Sequence, residues 1–173
     1  MKEPQTPRIF RALLQVRDLD TAQRFYASLL GTEGRRVGGG RVYFDCGPVL
    51  LALLDPTTDG ETRASPLPEP LYFATSDLHL VYRRAGELGC LAPGLIHNDP
   101  KNPAGEIIDR PWGERSFYAV DPSGNPLCFV DASTLFTGTP DQARPWIRSD
   151  RQRSQHRPAG RARKSATAPR SDR

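Results

Sequence analysis

The sequence predicts an α+β fold made of two like halves. Residues 9–31 run as a short apolar strand, then Asp18-Leu19, then an amphipathic stretch closed by Gly31. Residues 71–89 repeat that order with Asp77-Leu78 and Gly89. Strand-like segments follow each copy, so a unit of about sixty residues recurs and builds a two-module sheet. The space between the modules is where function is to be sought.

The elements follow in order. Residues 10–16 alternate about a strand axis, with Ala12, Leu14 and Val16 on one face and Arg11, Leu13 and Gln15 on the other. One face packs on a helix and the other looks into a cavity or a partner. Asp20 or Thr21 can cap the next helix with a side-chain oxygen. Ala22, Phe25, Tyr26, Leu29 and Leu30 form its apolar stripe, and Gly31 suits a left-handed cap. Strands are expected at 35–37, 41–45 and 49–54, with reversals at Gly38-Gly39-Gly40 and Cys46-Gly47-Pro48. The glycine triplet lacks a Gly-Lys-Ser/Thr ending and opens no helix, so it is not a phosphate loop. Residues 56–70 are a Pro-, Asp- and Thr-rich connector.

The second module starts with a strand at 71–76. Asp77 caps a helix to about Leu88, with Leu78, Val81, Tyr82, Ala85 and Leu88 on one side. Residues 92–105 read as a long loop. Strands are expected at 106–110, 115–120 and 127–131, and Asp121-Pro122-Ser123-Gly124-Asn125 as a tight turn.

Composition narrows the classes. The chain has 173 residues, 37% of them hydrophobic, enough for one domain with a core, and its 17 Pro and 15 Gly predict many turns. No run of ~18 apolar residues could span a membrane, and the N-terminus lacks the apolar stretch of a signal peptide. Cys46, Cys90 and Cys128 are an odd number without metal-type spacing, which points to a reducing, cytoplasmic setting.

The net charge of +4 hides an asymmetry. Residues 144–173 hold ten Lys/Arg and two Asp, giving +8; the preceding 143 residues hold 14 Lys/Arg and 18 Asp/Glu, giving −4. The expected division is therefore a globular domain over 8–135 and a basic tail over 136–173 that is too poor in apolar residues to offset its ordering entropy and is expected to be disordered. Contact with nucleic acid is disfavoured because no aromatics interleave the basic residues in the way base stacking needs; a solvated extension is the preferred reading.

Particular residues now suggest a family. Val16-Arg17-Asp18-Leu19 with Phe25-Tyr26 and Leu29-Leu30-Gly31 resembles the first module of the vicinal oxygen chelate superfamily. That group includes glyoxalase I, bleomycin-resistance proteins, fosfomycin-resistance transferases and extradiol dioxygenases. Pro111-Trp112-Gly113 with Arg115, Phe117-Tyr118 and Asp121-Pro122-Ser123-Gly124-Asn125 is similar to the end of its second module. The resemblance covers about residues 8–132. It implies two tandem βαβββ modules forming a curved mixed sheet or cup, commonly dimeric. In metal-using members a divalent ion in the cup acts as a Lewis acid on adjacent substrate oxygens.

The resemblance places the four metal-ligand positions at Arg11, near Ala52, at Leu71 and at Cys128. A guanidinium only donates hydrogen bonds, and Ala and Leu carry no donor atom for a metal, so Cys128 alone could bind one. No cofactor is therefore expected. The implied cup lining is Arg11, Leu13, Gln15, Ala52, Leu71, Trp112, Cys128 and Val130, an apolar pocket with a cation and an aromatic wall suited to a planar or anionic molecule.

Each singled-out residue also has a plainer reading. Arg11 is either a carboxylate partner or a structural cation, and Trp112 either a stacking surface or a packing residue. Cys128 is a nucleophile only if a cation such as Arg11 stabilises its thiolate; a buried inert thiol is preferred. Tyr118 faces either the cup or the helix layer. His79 is expected to be exposed and uninvolved, and His97 with Asn98 and Asp99 to be loop polarity. The leading expectation is a homodimeric, cytoplasmic, metal-independent protein that sequesters a small molecule in the cup. The alternative is a glyoxalase-type lyase or dioxygenase with a metal site rearranged onto His97, Asp99 or Asp45. A third is a scaffold whose tail recruits a polyanion.

Overall fold

Eight strands and two helices form in the computed structural model, which describes residues 6–138. Strand β1 (Arg11–Gln15) leads into α1 (Leu19–Leu30), then β2 (Arg35–Val37), β3 (Arg41–Cys46) and β4 (Val49–Leu54). The order repeats as β5 (Leu71–Thr75), α2 (Leu78–Glu87), β6 (Ile108–Asp109), β7 (Arg115–Val120) and β8 (Pro126–Asp131). Each half makes a four-stranded mixed sheet, ordered β1-β4-β3-β2 in the first and β5-β8-β7-β6 in the second. The first strand runs parallel to the fourth in both, and the others are antiparallel. The helix between first and second strands supplies the crossover that parallel pairing needs.

The helix starts differ from expectation in one detail. Asp18, not Asp20 or Thr21, caps α1, accepting a hydrogen bond from the Thr21 amide at 2.7 Å. Extended backbone at Asp18 leaves its carboxylate above the first turn, where amides lack partners. Gly31 closes the helix with φ of 70°, and its amide donates to the Ala27 carbonyl. A side chain there would also collide with the Arg84 guanidinium. Asp77 caps α2 through the Leu80 amide at 2.9 Å. Strand β6 is only two residues long, against the five expected over 106–110.

One core serves both halves. Leu14, Val16, Val42, Phe44, Leu51 and Leu53 from the first sheet join Phe117, Ala119, Leu127 and Phe129 from the second, together with the apolar stripes of α1 and α2. Phe73, Phe129 and Phe117 lie in register across three strands, with ring centroids 5.1 and 5.3 Å apart. Burying each such ring stabilises the fold by roughly 1.5–3 kcal/mol.

Polar bonds add a specific link between the halves. The Asp121 carboxylate, at the end of β7, accepts from the Tyr26 hydroxyl of α1 at 2.9 Å. It also accepts from the Ser123 and Asn125 amides and from Asn125 Nδ2, each at 2.8 Å. Asn125 Nδ2 donates in turn to the Gln15 carbonyl, and Ser123 Oγ accepts from the Arg17 amide, both at 2.9 Å. Burial, then the Asp121 charge, raises the Tyr26 hydroxyl far above its ordinary value, so it stays a donor.

Tyr26→Phe should therefore lower the urea-derived unfolding free energy by about 1.5–3 kcal/mol, the range for a hydrogen bond to a charged group. Asp121→Ala should cost more, because it strands several buried donors at once. The double variant should cost less than the two single effects combined, as expected for one network.

Candidate functional site

The face of the first sheet turned away from the helices carries Arg11, Leu13 and Gln15 on β1, with Ala52 in register beside Leu13 and Tyr43 beside Ala52. Arg11 lies over the Tyr43 ring and the Phe10 ring, 5.0 Å from each centroid. Among the described residues no carboxylate forms an ion pair with it. Gln15 is held by the connector: its Oε1 accepts from the Ser65 amide at 2.7 Å and its Nε2 donates to Glu61 at 3.3 Å. Leu13 is 45% exposed. These four expected lining residues thus share one face of the sheet, on which Ala52 is buried.

Leu71 does not face the same way as Cys128 and Val130. It pairs with Leu127 and packs against the helix-side core. Tyr72 takes its place, in register with Cys128 and 55% exposed. A one-residue shift along a strand exchanges faces, which is the reason for the correction. The repeat itself held the signal: Leu13 stands five residues before Asp18, and Tyr72 five before Asp77.

Cys128 and Val130 share the away face of the second sheet, but the chain covers it. Ala92, Ile96 and Ala104 from the long loop pack on Tyr118, Cys128 and Val130. The loop joins the sheet through the Ala92 amide to the Tyr118 carbonyl and the Tyr118 amide to the Ala104 carbonyl, at 2.9 and 2.8 Å. Tyr118 therefore faces the loop and not the helix layer.

Arg110 pins this plug. Its guanidinium donates to Asn102 Oδ1, to the carbonyls of Pro103, Ala104, Glu106 and Ser116, and to Ser116 Oγ, at 2.6–3.3 Å. The residue is buried, and burial lowers its pKa below the ordinary guanidinium value. It also lies over the Tyr118 ring at 5.2 Å. Sequence reading passed over Arg110 as a strand residue; its signal was a charged side chain in a segment otherwise flanked by Ile107 and Ile108.

Trp112 sits in the turn before β7. Its Nε1 donates to Glu114 at 2.8 Å, and its ring meets His97 edge-on at 6.1 Å. His97 and Asn98 both hold left-handed backbone, with φ of 54° and 56°. His79 is exposed.

Chemistry at Cys128 is restrained. Burial pushes its thiol up to about 12, and burial pushes Cys90 to about 11. Arg110 and not Arg11 is the guanidinium whose charge acts on Cys128. The thiolate needed for attack is scarce near neutral pH.

The residues do not fit a resident metal. Arg11, Ala52 and Leu71 offer no side-chain ligand atom, which leaves Cys128 as a single thiol where an ion needs several ligands. Asp45 is paired with Arg35, and Asp99 accepts from the Lys101 amide. Among the described residues of the chain, no three His, Cys, Asp or Glu side chains cluster so as to hold an ion.

A hollow does lie between the modules, on different walls. A groove of about 780 Å³ is lined by Ala12, Leu30 and Leu51 of the first half and by Leu71–Thr75, Val81 and Phe129 of the second, with residues 45–49 at one side. Of the eight expected lining residues, only Leu71 contributes to it. The basic tail expected over 136–173 lies outside the described residues except for its first three. No helix among the described residues is long and apolar enough to cross a membrane.

Comparisons with known proteins agree with this architecture. A family model described as the Glyoxalase/Bleomycin resistance protein/Dioxygenase superfamily matches residues 8–129. No curated protein matches. A lactoylglutathione lyase from Agrobacterium tumefaciens is similar at 25% identity and TM-score 0.53, covering 75% of this chain and 96% of that one. The oxidase ChaP-H2 is similar at 26% identity and TM-score 0.56, covering 73% and 94%. A glyoxalase/bleomycin resistance protein from Albidiferax ferrireducens T118, at 20% identity and TM-score 0.54 over 71% and 97%, shares the fold.

Arg110→Ala should destabilise the protein by about 3 kcal/mol or more by leaving several buried acceptors unpaired, and limited proteolysis should then cut within 92–105. Iodoacetamide at about pH 8 should leave Cys90 and Cys128 of the native protein unmodified, since the thiolate is the nucleophile. The raised thiols contribute stability below the ordinary thiol value of 9.0, and that contribution should be lost as pH rises from there toward about 12, read as a falling denaturation midpoint.

Proposed function

This chain belongs to the Glyoxalase/Bleomycin resistance protein/Dioxygenase superfamily, and we propose that it binds a small organic molecule between its two modules without a resident metal. The observation that carries the reading is the inter-module groove, whose volume of about 780 Å³ is that of a small-molecule site. The donor set supports the metal-free half of the reading, because the positions to which the family resemblance assigns ligands hold Arg11, Ala52, Leu71 and Cys128. Sequestration needs no reaction: apolar walls remove ligand surface from water.

The ligand surface first expected, around Arg11, Leu13, Gln15 and Ala52, lies in this reading on the opposite face of the first sheet from the groove-lining Ala12 and Leu51, and Trp112 packs against the loop. Phe10 and Leu13, outside the groove, are large apolar residues left 55% and 45% exposed, which supports a homodimer that covers them. Three unpaired thiols support a reducing, cytoplasmic setting.

The test is a thermal-shift screen of metabolites and antibiotics with chelator present. At least one compound should raise the melting temperature, since a ligand that binds only the folded state stabilises it. Thr32→Trp and Ala12→Trp, both at groove-lining positions, should abolish that shift. A response that needs added Ni, Zn, Fe or Mn would overturn the metal-free reading. Sedimentation should give twice the chain mass.

A further inference from the structure

The groove is nearly free of charge. Phe73, Phe129, Leu51 and Val81 give it aromatic and aliphatic walls, and among the described residues no Arg, Lys or His lines it. Its lining carboxylate, Asp45, forms an ion pair with both terminal nitrogens of Arg35. That bond holds the Asp45 carboxyl below its ordinary value, so the pair is a matched cation and anion at the rim. Cys46, also on the wall, is raised by burial and stays an uncharged thiol. The Arg84 guanidinium lies against Gly31 at the C-terminal end of α1, where helix carbonyls attract a cation.

The polar groups left for a ligand are neutral. Among the described residues they include the hydroxyls of Thr32, Tyr72 and Thr75, the last already accepting from the Asp77 amide at 3.2 Å, and the edge of β5 on the side away from β8. An anion entering such a groove would lose its hydration and gain no cation in return. An uncharged molecule loses little and gains the apolar walls.

We propose that the groove takes an uncharged, mainly apolar organic molecule and rejects anions of the same shape. This rests on the groove being the receptor site. It reverses the anionic preference that Arg11 alone suggests, because Arg11 lies on the other face of β1 from Ala12, the β1 residue that lines the groove.

Two dyes test it with the full chain. N-phenyl-1-naphthylamine and 8-anilino-1-naphthalenesulfonate share their rings and differ by one sulfonate. Fluorescence titration is read as the binding that Thr32→Trp removes, which discounts dye held elsewhere, and Ala12→Trp serves if that variant fails to fold. The neutral dye should bind at least about tenfold more tightly than the sulfonate. Asp45→Asn frees the Arg35 guanidinium and should narrow that gap; an unchanged gap would overturn its electrostatic origin. Equal affinities in the native chain would overturn the charge selection and leave the groove as a receptor. Absence of variant-sensitive binding of either dye would overturn the receptor reading and the inference together.

Discussion

The Asp121 carboxylate is the point on which the two halves are registered. It sits at the end of a strand in the second sheet yet takes its hydroxyl partner, Tyr26, from the helix of the first. The turn that follows it ties back to the end of β1 through Ser123 and Asn125. A buried carboxylate is costly unless its oxygens are satisfied, and here four donors satisfy them. Apolar packing alone would allow the modules to slide; directional bonds at a single buried charge do not. The position of the groove between the modules follows from that constraint.

The halves repeat in topology but not in use. The away face of the first sheet stays open, with Arg11 on Tyr43 and an exposed Leu13. The corresponding face of the second sheet is filled by residues 92–105. Arg110 helps hold this filling, since its fixed fork of donors reaches the Pro103 and Glu106 carbonyls of the irregular segment as well as those of Ala104 and Ser116. The cost is a cation held away from water with no carboxylate among the described residues bonded to it. The groove between the modules is a separate hollow, with Ala12, Leu51, Leu71, Phe73 and Phe129 among its walls.

Much of the fold was legible in the residues. The periods of 2 and 3.6, the Asp-Leu starts and the glycine stops placed both helices and seven of the eight strands closely. The misses were local. Asp18 capped α1 because side-chain oxygens two or three residues apart compete for the same amides, and only backbone geometry decides among them. Strand β6 shrank to two residues because the adjoining chain was taken up by the plug. Leu71 was exchanged for Tyr72 by one residue of register.

The site was far less legible. Alternation says which residues share a face, but not what covers that face, and Cys128 and Val130 proved to lie beneath the chain's own loop. By itself the sequence determined the two-module α+β fold, the family and the loss of metal-binding side chains at the positions that resemblance assigns, because these depend on local periodicity and on the chemistry of single residues. The tertiary structure alone decided which hollow is open, that its walls carry matched or no charge, and that Arg110 and Asp121 hold the parts in place. Those are properties of residues far apart in the chain, brought together only when the two halves share one core.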